Sequence, residues 1–276
     1  MIIFLHGADT FRSHRLLQEM KNKFIKDTDK DANSLGMLDG AATSLKEISE
    51  RVNTGSLFVK KRLVVIENIF KNKKTKIFTE LVDYLKKFSD SEDNIIIFID
   101  EELNGKEKPL KAEAKKLFTF LGKQKFVKEF GALNNLQLLS FIKKECEEYG
   151  KEMSASAGAM LINYTNGDMW LLNGEIKKLS FYSENKIISE ADVKELCVGA
   201  INEDIFALTD ALSSKNKTRA LKLLEEQYAA GLGDEYLIAM LIRQFKILLQ
   251  IRTTIDNNLS PSETATSLKL HPYVIK

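Results

Sequence analysis

The chain opens Met1-Ile2-Ile3-Phe4-Leu5-His6-Gly7-Ala8-Asp9-Thr10-Phe11-Arg12-Ser13-His14, and the reading of this stretch decides the first domain. Ile2 to Leu5 form a short strand with no polar face, the pattern of a strand covered on both sides. Gly7 follows at the turn, and Phe11 to Ile25 has helical periodicity. A strand, a glycine turn and a helix in that order form the frame on which phosphate-binding loops are built. Such a loop also needs a second glycine, a lysine and a Ser or Thr, so that backbone amides and an ammonium surround the phosphates. Arg12, Ser13 and His14 stand there instead. A side chain at position 12 blocks close backbone approach, and the lysine is absent. The frame of a nucleotide site without its grip predicts no catalytic residue, no cofactor and a protein that works by binding.

Outward from this stretch, apolar strands alternate with amphipathic helices as far as Leu133. The predicted strands are Ile2 to Leu5, Ser34 to Leu38, Leu63 to Ile66, Ile95 to Ile99 and Phe126 to Phe130. Continuous runs such as Leu63-Val64-Val65-Ile66 suit a parallel sheet with helices on both faces, a doubly wound α/β domain over residues 1–133. After Leu133 nearly everything reads as helix. Leu136, Leu139, Ile142 and Cys146 are expected to share one buried face. Asp168 and Ser189 are expected to cap later helices, with Leu172, Ile176 and Leu179 inward on the first of these. The helix from Tyr236 to Ile255 is apolar around most of its girth, which predicts burial on several sides within a bundle. Residues His271 to Lys276 read as a helix begun at proline and soon ended, so the last helical domain is expected to be incomplete.

Composition excludes more than it identifies. The 276 residues allow two or three domains, and 44% apolar with 29% charged residues suits a globular protein. A net charge of +2 gives no overall field for nucleic acid, so any DNA contact must be a local patch. No run approaches the ~20 apolar residues of a membrane span, and the N-terminus lacks a basic segment, so a cytoplasmic protein is expected. Cys146 and Cys197 lack metal spacing, and three scattered histidines suggest neither a metal cluster nor a triad. Asp100-Glu101 after Ile95 to Ile99 resembles the strand end that holds magnesium in ATPases. Without a phosphate loop a metal would have no nucleotide to bridge, so this pair reads as a solvated strand end and charged loop. Trp170, at the head of an amphipathic helix, reads as packed rather than base-stacking.

Taken together, four stretches resemble the delta subunit family of bacterial DNA polymerase III, the clamp-opening part of the clamp loader. They are Phe4 to Phe11, Ser56-Leu57-Phe58 before Arg62 to Asn68, Gly167 to Leu179, and Met240 to Phe245. The resemblance runs the length of the chain in the family's order. It implies an AAA+-like α/β domain without ATPase activity (1–133), an all-α helical lid (134–200) and an all-α helical collar (201–276) that joins the loader. The implied function is to bind and open the sliding beta clamp for loading onto primed DNA, with a polymerase label carried by membership of the complex. The implied partners are that clamp, the gamma/tau and delta prime loader subunits, and primed DNA, with no membrane. Sibling loader subunits fit less well, because they resemble proteins with a four-cysteine zinc module that two cysteines cannot build.

The family's clamp contact falls on Ser56, Leu57 and Phe58. Helical periodicity from Thr43 puts Leu45, Ile48 and Val52 on one stripe. If the helix continues, Leu57 at about 120° and Phe58 at about 220° from Leu45 lie off it. An outward Leu-Phe pair would suit a pocket on a partner. Alternatively, Gly55 ends the helix and the pair packs locally. Two further readings stand beside the clamp binder: an ATPase with a degenerate loop around Gly7, Arg12 and Ser13, and an inactive helical scaffold.

Overall fold

The computed structural model of the protein describes residues 1–29, 32–53, 61–88, 94–101, 103, 110–165, 167–197, 200–229, 233–257, 259–260 and 263–264. Its two units are Met1–Leu133 and Asn134–Lys276. In the first, β1 (Ile2–His6), α1 (Thr10–Asp27), β2 (Leu35–Asp39), α2 (Leu45–Asn53), β3 (Arg62–Glu67), α3 (Lys76–Leu85), β4 (Asn94–Asp100), α4 (Ala112–Leu121) and β5 (Phe126–Glu129) alternate along the chain. The strands form one parallel sheet in the order β2-β3-β4-β1-β5. These are the five expected strands, with ends shifted by a residue or two.

The apolar runs are explained by the two faces of the sheet. Ile2, Phe4, Val64, Ile66, Ile96 and Phe98 point to one side, where α2, α3 and α4 bury Ile48, Val52, Phe78, Leu81, Leu117 and Leu121. Ile3, Leu5, Leu63, Val65, Ile97 and Ile99 point to the other, against Leu17 and Phe24 of α1 and Phe130. Alternate residues of each inner strand therefore serve different helices, and neither set can be polar. The unit is the doubly wound α/β layer structure, with the C-terminal ends of the strands along one rim. β5 ends the sheet order, pairs among the described residues with β1 alone, and all four of its residues are exposed.

The second unit contains α5 (Asn135–Glu148), β6 (Glu152–Met153), α6 (Ala155–Thr165), α7 (Met169–Tyr182), β7 (Ile187–Ile188), α8 (Glu190–Leu196), α9 (Ala200–Ser213), α10 (Lys217–Ala229) and α11 (Asp234–Asp256). Asn134 and Ser189 close capping boxes with Gln137 and Asp192, and the Asp168 carboxylate accepts from the amides of Trp170 and Leu171. Each cap supplies partners to amides that the helix leaves unpaired at its start. Leu172, Ile176 and Leu179 are fully buried, as their spacing predicts. Cys146 and Cys197 are buried free thiols, and burial raises both, Cys146 to about 11.

The region is mostly helical, as expected, and carries one short two-stranded parallel pair, β6 with β7. Three expectations for these elements need correction. Leu136 is 79% exposed, and Leu138 takes the inward place with Ile142 and Cys146. Those three stand four residues apart on one helical row, and Leu136 lies about 200° around from Leu138. Trp170 is 54% exposed, because Met169 and Leu172 occupy the inward positions of the first turn of α7. Finally, α11 is not buried all round. Leu237 packs with Met240 and Leu241 toward α9 and α10, but Ile238, Ile242, Phe245, Leu248 and Leu249 are exposed.

Candidate functional site

The β1–α1 turn is where a phosphate would sit in a nucleotide-binding frame of this kind, and the chain fills it with its own atoms. Gly7 adopts φ 130°, a conformation that L side chains rarely take, and a Cβ there would lie inside the backbone of Phe130. The segment following β5 therefore packs directly on the glycine. Its Phe130 amide donates to the His6 carbonyl (2.7 Å), and its carbonyl accepts from the Asp9 amide (2.9 Å).

Three further amides of the turn are also committed. Thr10 donates to the Ala8 carbonyl (3.2 Å) and Ser13 to the Asp9 carbonyl (3.3 Å). The Arg12 amide donates to Oδ1 of Asp9 (2.9 Å), so Asp9 caps α1. A phosphate cradle needs such amides aimed outward together. Here the amides of Asp9, Thr10, Arg12 and Ser13 all donate within the chain. The Ser13 hydroxyl, in the place of the phosphate-loop lysine, donates to the Thr10 carbonyl (3.0 Å), and its residue is buried.

Arg12 completes the closure. Its Nε donates to Oδ2 of Asp9 (2.6 Å), its Nη2 donates to the Gly131 carbonyl (2.6 Å), and its guanidinium lies 5.8 Å from the centre of the Phe130 ring. The Asp9 carboxylate is only 1% exposed, and this pairing compensates its buried charge. Gly7, Arg12 and Ser13, singled out in the sequence, thus come together with two partners that escaped it, Asp9 and the Phe130-Gly131 segment. Asp9 had a legible signal, since an Asp three residues before Arg12 at a helix start is a capping pattern. The contact with Gly131 had none.

At the C-terminal end of β4, Asp100 overturns its expected role as a solvated strand end. It is 4% exposed, beneath a 3-10 turn over Ile69–Lys71 that covers the end of the strand. Its Oδ1 accepts from the Phe70 amide (3.1 Å), and Oδ2 has no hydrogen-bond partner among the described residues. Burial raises its pKa to about 7, against the Ile69 and Phe70 amides and Lys71, which lower it. Glu101 alongside pairs with Lys71 at 2.9 Å. The carboxylate is therefore bound to the turn that covers it, an arrangement that suits a structural cap. Among the described residues no group of three His, Cys, Asp or Glu could share a metal ion.

Ser56, Leu57 and Phe58 lie outside the described residues, which resume at Lys61. The helix that leads to them follows the expected stripe, with Ile48 and Val52 buried and Leu45 packed against the same core. On the far side Arg62 opens β3 and donates from Nη1 to the Arg51 carbonyl (2.8 Å), drawing the two ends of the connection together. Among the described residues, no helix is long and apolar enough to cross a membrane.

Similarity to known proteins extends along the whole chain. The family model described as DNA polymerase III, delta subunit, matches residues 4–130, and that described as DNA polymerase III delta subunit, C-terminal domain, matches residues 202–276. DNA polymerase III subunit delta of Bacillus subtilis (strain 168) is 24% identical over 281 residues, 99% of this chain and 78% of that protein. The solved Bacillus subtilis DNA clamp loader delta protein (YqeN) aligns with a TM-score of 0.59 at 22% identity, over 99% of this chain and 80% of that one. A solved structure of Thermotoga maritima RuvB aligns with a TM-score of 0.48 at 11% identity, over 98% of this chain and 75% of that one.

Proposed function

Because the chain belongs to the DNA polymerase III delta subunit family, and so is a clamp loader subunit, we propose that it binds and opens the sliding beta clamp without hydrolysing ATP itself. The observation that carries this reading is the closed β1–α1 turn. Asp9, Arg12 and Phe130 use the amides and the space that a nucleotide would need, while the sheet that presents the turn is intact. A fold that keeps its frame and spends its nucleotide contacts on itself is suited to working through its surface.

The clamp contact is assigned to Leu57 and Phe58, with Ser56 beside them. Support comes from the family's pattern and from α2, whose inward stripe is already taken by Ile48 and Val52. A Leu-Phe pair inserted into an apolar pocket on the ring supplies binding energy, and opening uses part of that energy to distort a ring interface. Residues 134–200 serve as a lid and 201–276 as a collar. In the collar, the exposed row of Ile238, Ile242, Phe245 and Leu249 on α11 meets the gamma/tau or delta prime neighbours. Primed DNA enters only within that assembly, in the cytoplasm. The test is direct: the isolated chain is titrated with a purified sliding clamp, with and without Mg-ATP. Clamp binding unaffected by nucleotide, with no ATP turnover, is the expected result. Turnover would return the degenerate ATPase reading, and no clamp binding would leave the inactive scaffold.

A further inference from the structure

The side chain that closes the turn also holds the segment by which the chain leaves the first unit. Phe130 and Gly131 follow β5 directly, and the unit ends at Leu133. Three contacts bind this exit to the β1–α1 turn: Asp9 N–H to the Phe130 carbonyl, Phe130 N–H to the His6 carbonyl, and Arg12 Nη2 to the Gly131 carbonyl. The Arg12 guanidinium lies near the Phe130 ring while its Nε is held by Asp9. One planar, permanently charged group thus joins the N-cap carboxylate of α1 to a carbonyl 119 residues along the chain from Arg12. In nucleotide switches a bound phosphate orders the segments around such a turn and releases them after hydrolysis.

We propose that Arg12 is a built-in lock, a resident cation that fixes the Phe130-Gly131 exit permanently where a nucleotide-dependent protein would fix it conditionally. The competing idea is that Arg12 merely plugs a latent nucleotide site that its removal would reopen, and the geometry disfavours this. Without Arg12 the Asp9 carboxylate would stand uncompensated in the turn and repel phosphate. The amides of Asp9, Thr10 and Ser13 would keep their partners within the chain, and the Phe130 backbone would still abut Gly7.

The experiment compares the full chain with Arg12→Met, which keeps an apolar side chain beside Phe130, and Arg12→Lys, which keeps the charge but not the fork. Backbone hydrogen exchange is followed at Asp9 and Phe130, together with chymotryptic cleavage after Phe130 and Leu133. In Arg12→Met, exchange at both amides should accelerate by about tenfold or more, the factor one hydrogen bond to a charged group is worth. Exchange at Phe4 and Leu5 within β1 should hold steady, cleavage after Phe130 should rise in parallel, and Arg12→Lys should fall between. Mg-ATP should change none of this. If Arg12→Met does not fold, Asp9→Asn carries the same test, because it keeps the cap acceptor and removes the charge that anchors Arg12. Unchanged exchange in the folded variant would overturn the lock. So would an Arg12→Met protein that binds Mg-ATP and thereby recovers the slow exchange of the parent, since that result makes Arg12 a plug. Clamp binding plays no part in these readouts, so they stand or fall separately from the clamp reading.

Discussion

The turn after β1 and the outer face of α11 are opposites. In the turn, four backbone amides donate within the chain, a carboxylate is paired with a guanidinium, and even the space above Gly7 is filled by backbone. On α11 a row of large apolar side chains is exposed, with Ile242 at 64% and Leu249 at 68%. The first region satisfies itself and has little left to offer a ligand. The second is unsatisfied in water and gains by association. In a nucleotide motor the open chemistry would sit in the turn. In the proposed function it lies instead in the exposed apolar side chains of α11.

The sharpest way to break that contrast is to make α11 as self-sufficient as the turn. Ile242→Asp with Leu249→Asp should abolish incorporation into a reconstituted loader, with an affinity loss of about a thousandfold or more if two central anchors are removed. Thermal unfolding of the isolated chain should barely move, because both side chains are already in water. Size-exclusion chromatography with partner subunits reads the result, and normal co-elution of the double variant would make α11 an ordinary surface. A somewhat smaller loss is expected for Leu57→Ala with Phe58→Ala. Clamp affinity should fall about a hundredfold, with the melting temperature unchanged. A clamp affinity equal to the parent's would remove this segment from the contact.

The turn should respond in the other way, through stability rather than binding. Gly7→Ala forces a side chain into a left-handed backbone and against the Phe130 carbonyl, so the variant should lose about 2–4 kcal/mol. Chemical denaturation measures this, and a loss below about 0.5 kcal/mol would mean that Phe130 yields easily.

How far the sequence carried this picture depended on whether the deciding partner was local. The inner strands were legible because runs such as Leu63 to Ile66 leave no polar face, and the caps at Asp168 and Ser189 were legible because their partners lie within three residues. The Arg12–Gly131 contact bridges 119 residues and left no spacing to read. The two-residue strands β6 and β7 are too short for alternation to register. The apolar girth of α11 predicted burial on several sides, and the exposed row from Ile238 to Leu249 overturns it, because periodicity shows which residues are apolar and not which of them the rest of the chain covers. Of the candidate site, Gly7, Arg12 and Ser13 came together as a unit, whereas Ser56, Leu57 and Phe58 lie outside the described residues.

Asp100 gives the smallest and most diagnostic prediction, because it looks like part of an open site and is built like part of a closed one. Its pKa is raised from 3.8 to about 7 by burial, so the folded protein binds a proton that the unfolded chain has already released between those values. The group therefore favours the fold most below about pH 4, and that contribution drains away as the pH rises to about 7. His6 is its register partner on β1, and there burial lowers the pKa against the pull of Glu129. A lowered histidine has the opposite sign, since stability is lost as the pH falls below the usual histidine value, so the raw profile of the parent is a mixture. Asp100→Asn isolates the carboxylate: it keeps an oxygen for the Phe70 amide and cannot titrate. Relative to the parent, the variant should gain about 2 kcal/mol between pH 5 and pH 8, read as a widening difference in urea midpoints. A constant difference across that range would mean that the carboxylate reaches water and that the end of β4 is open after all.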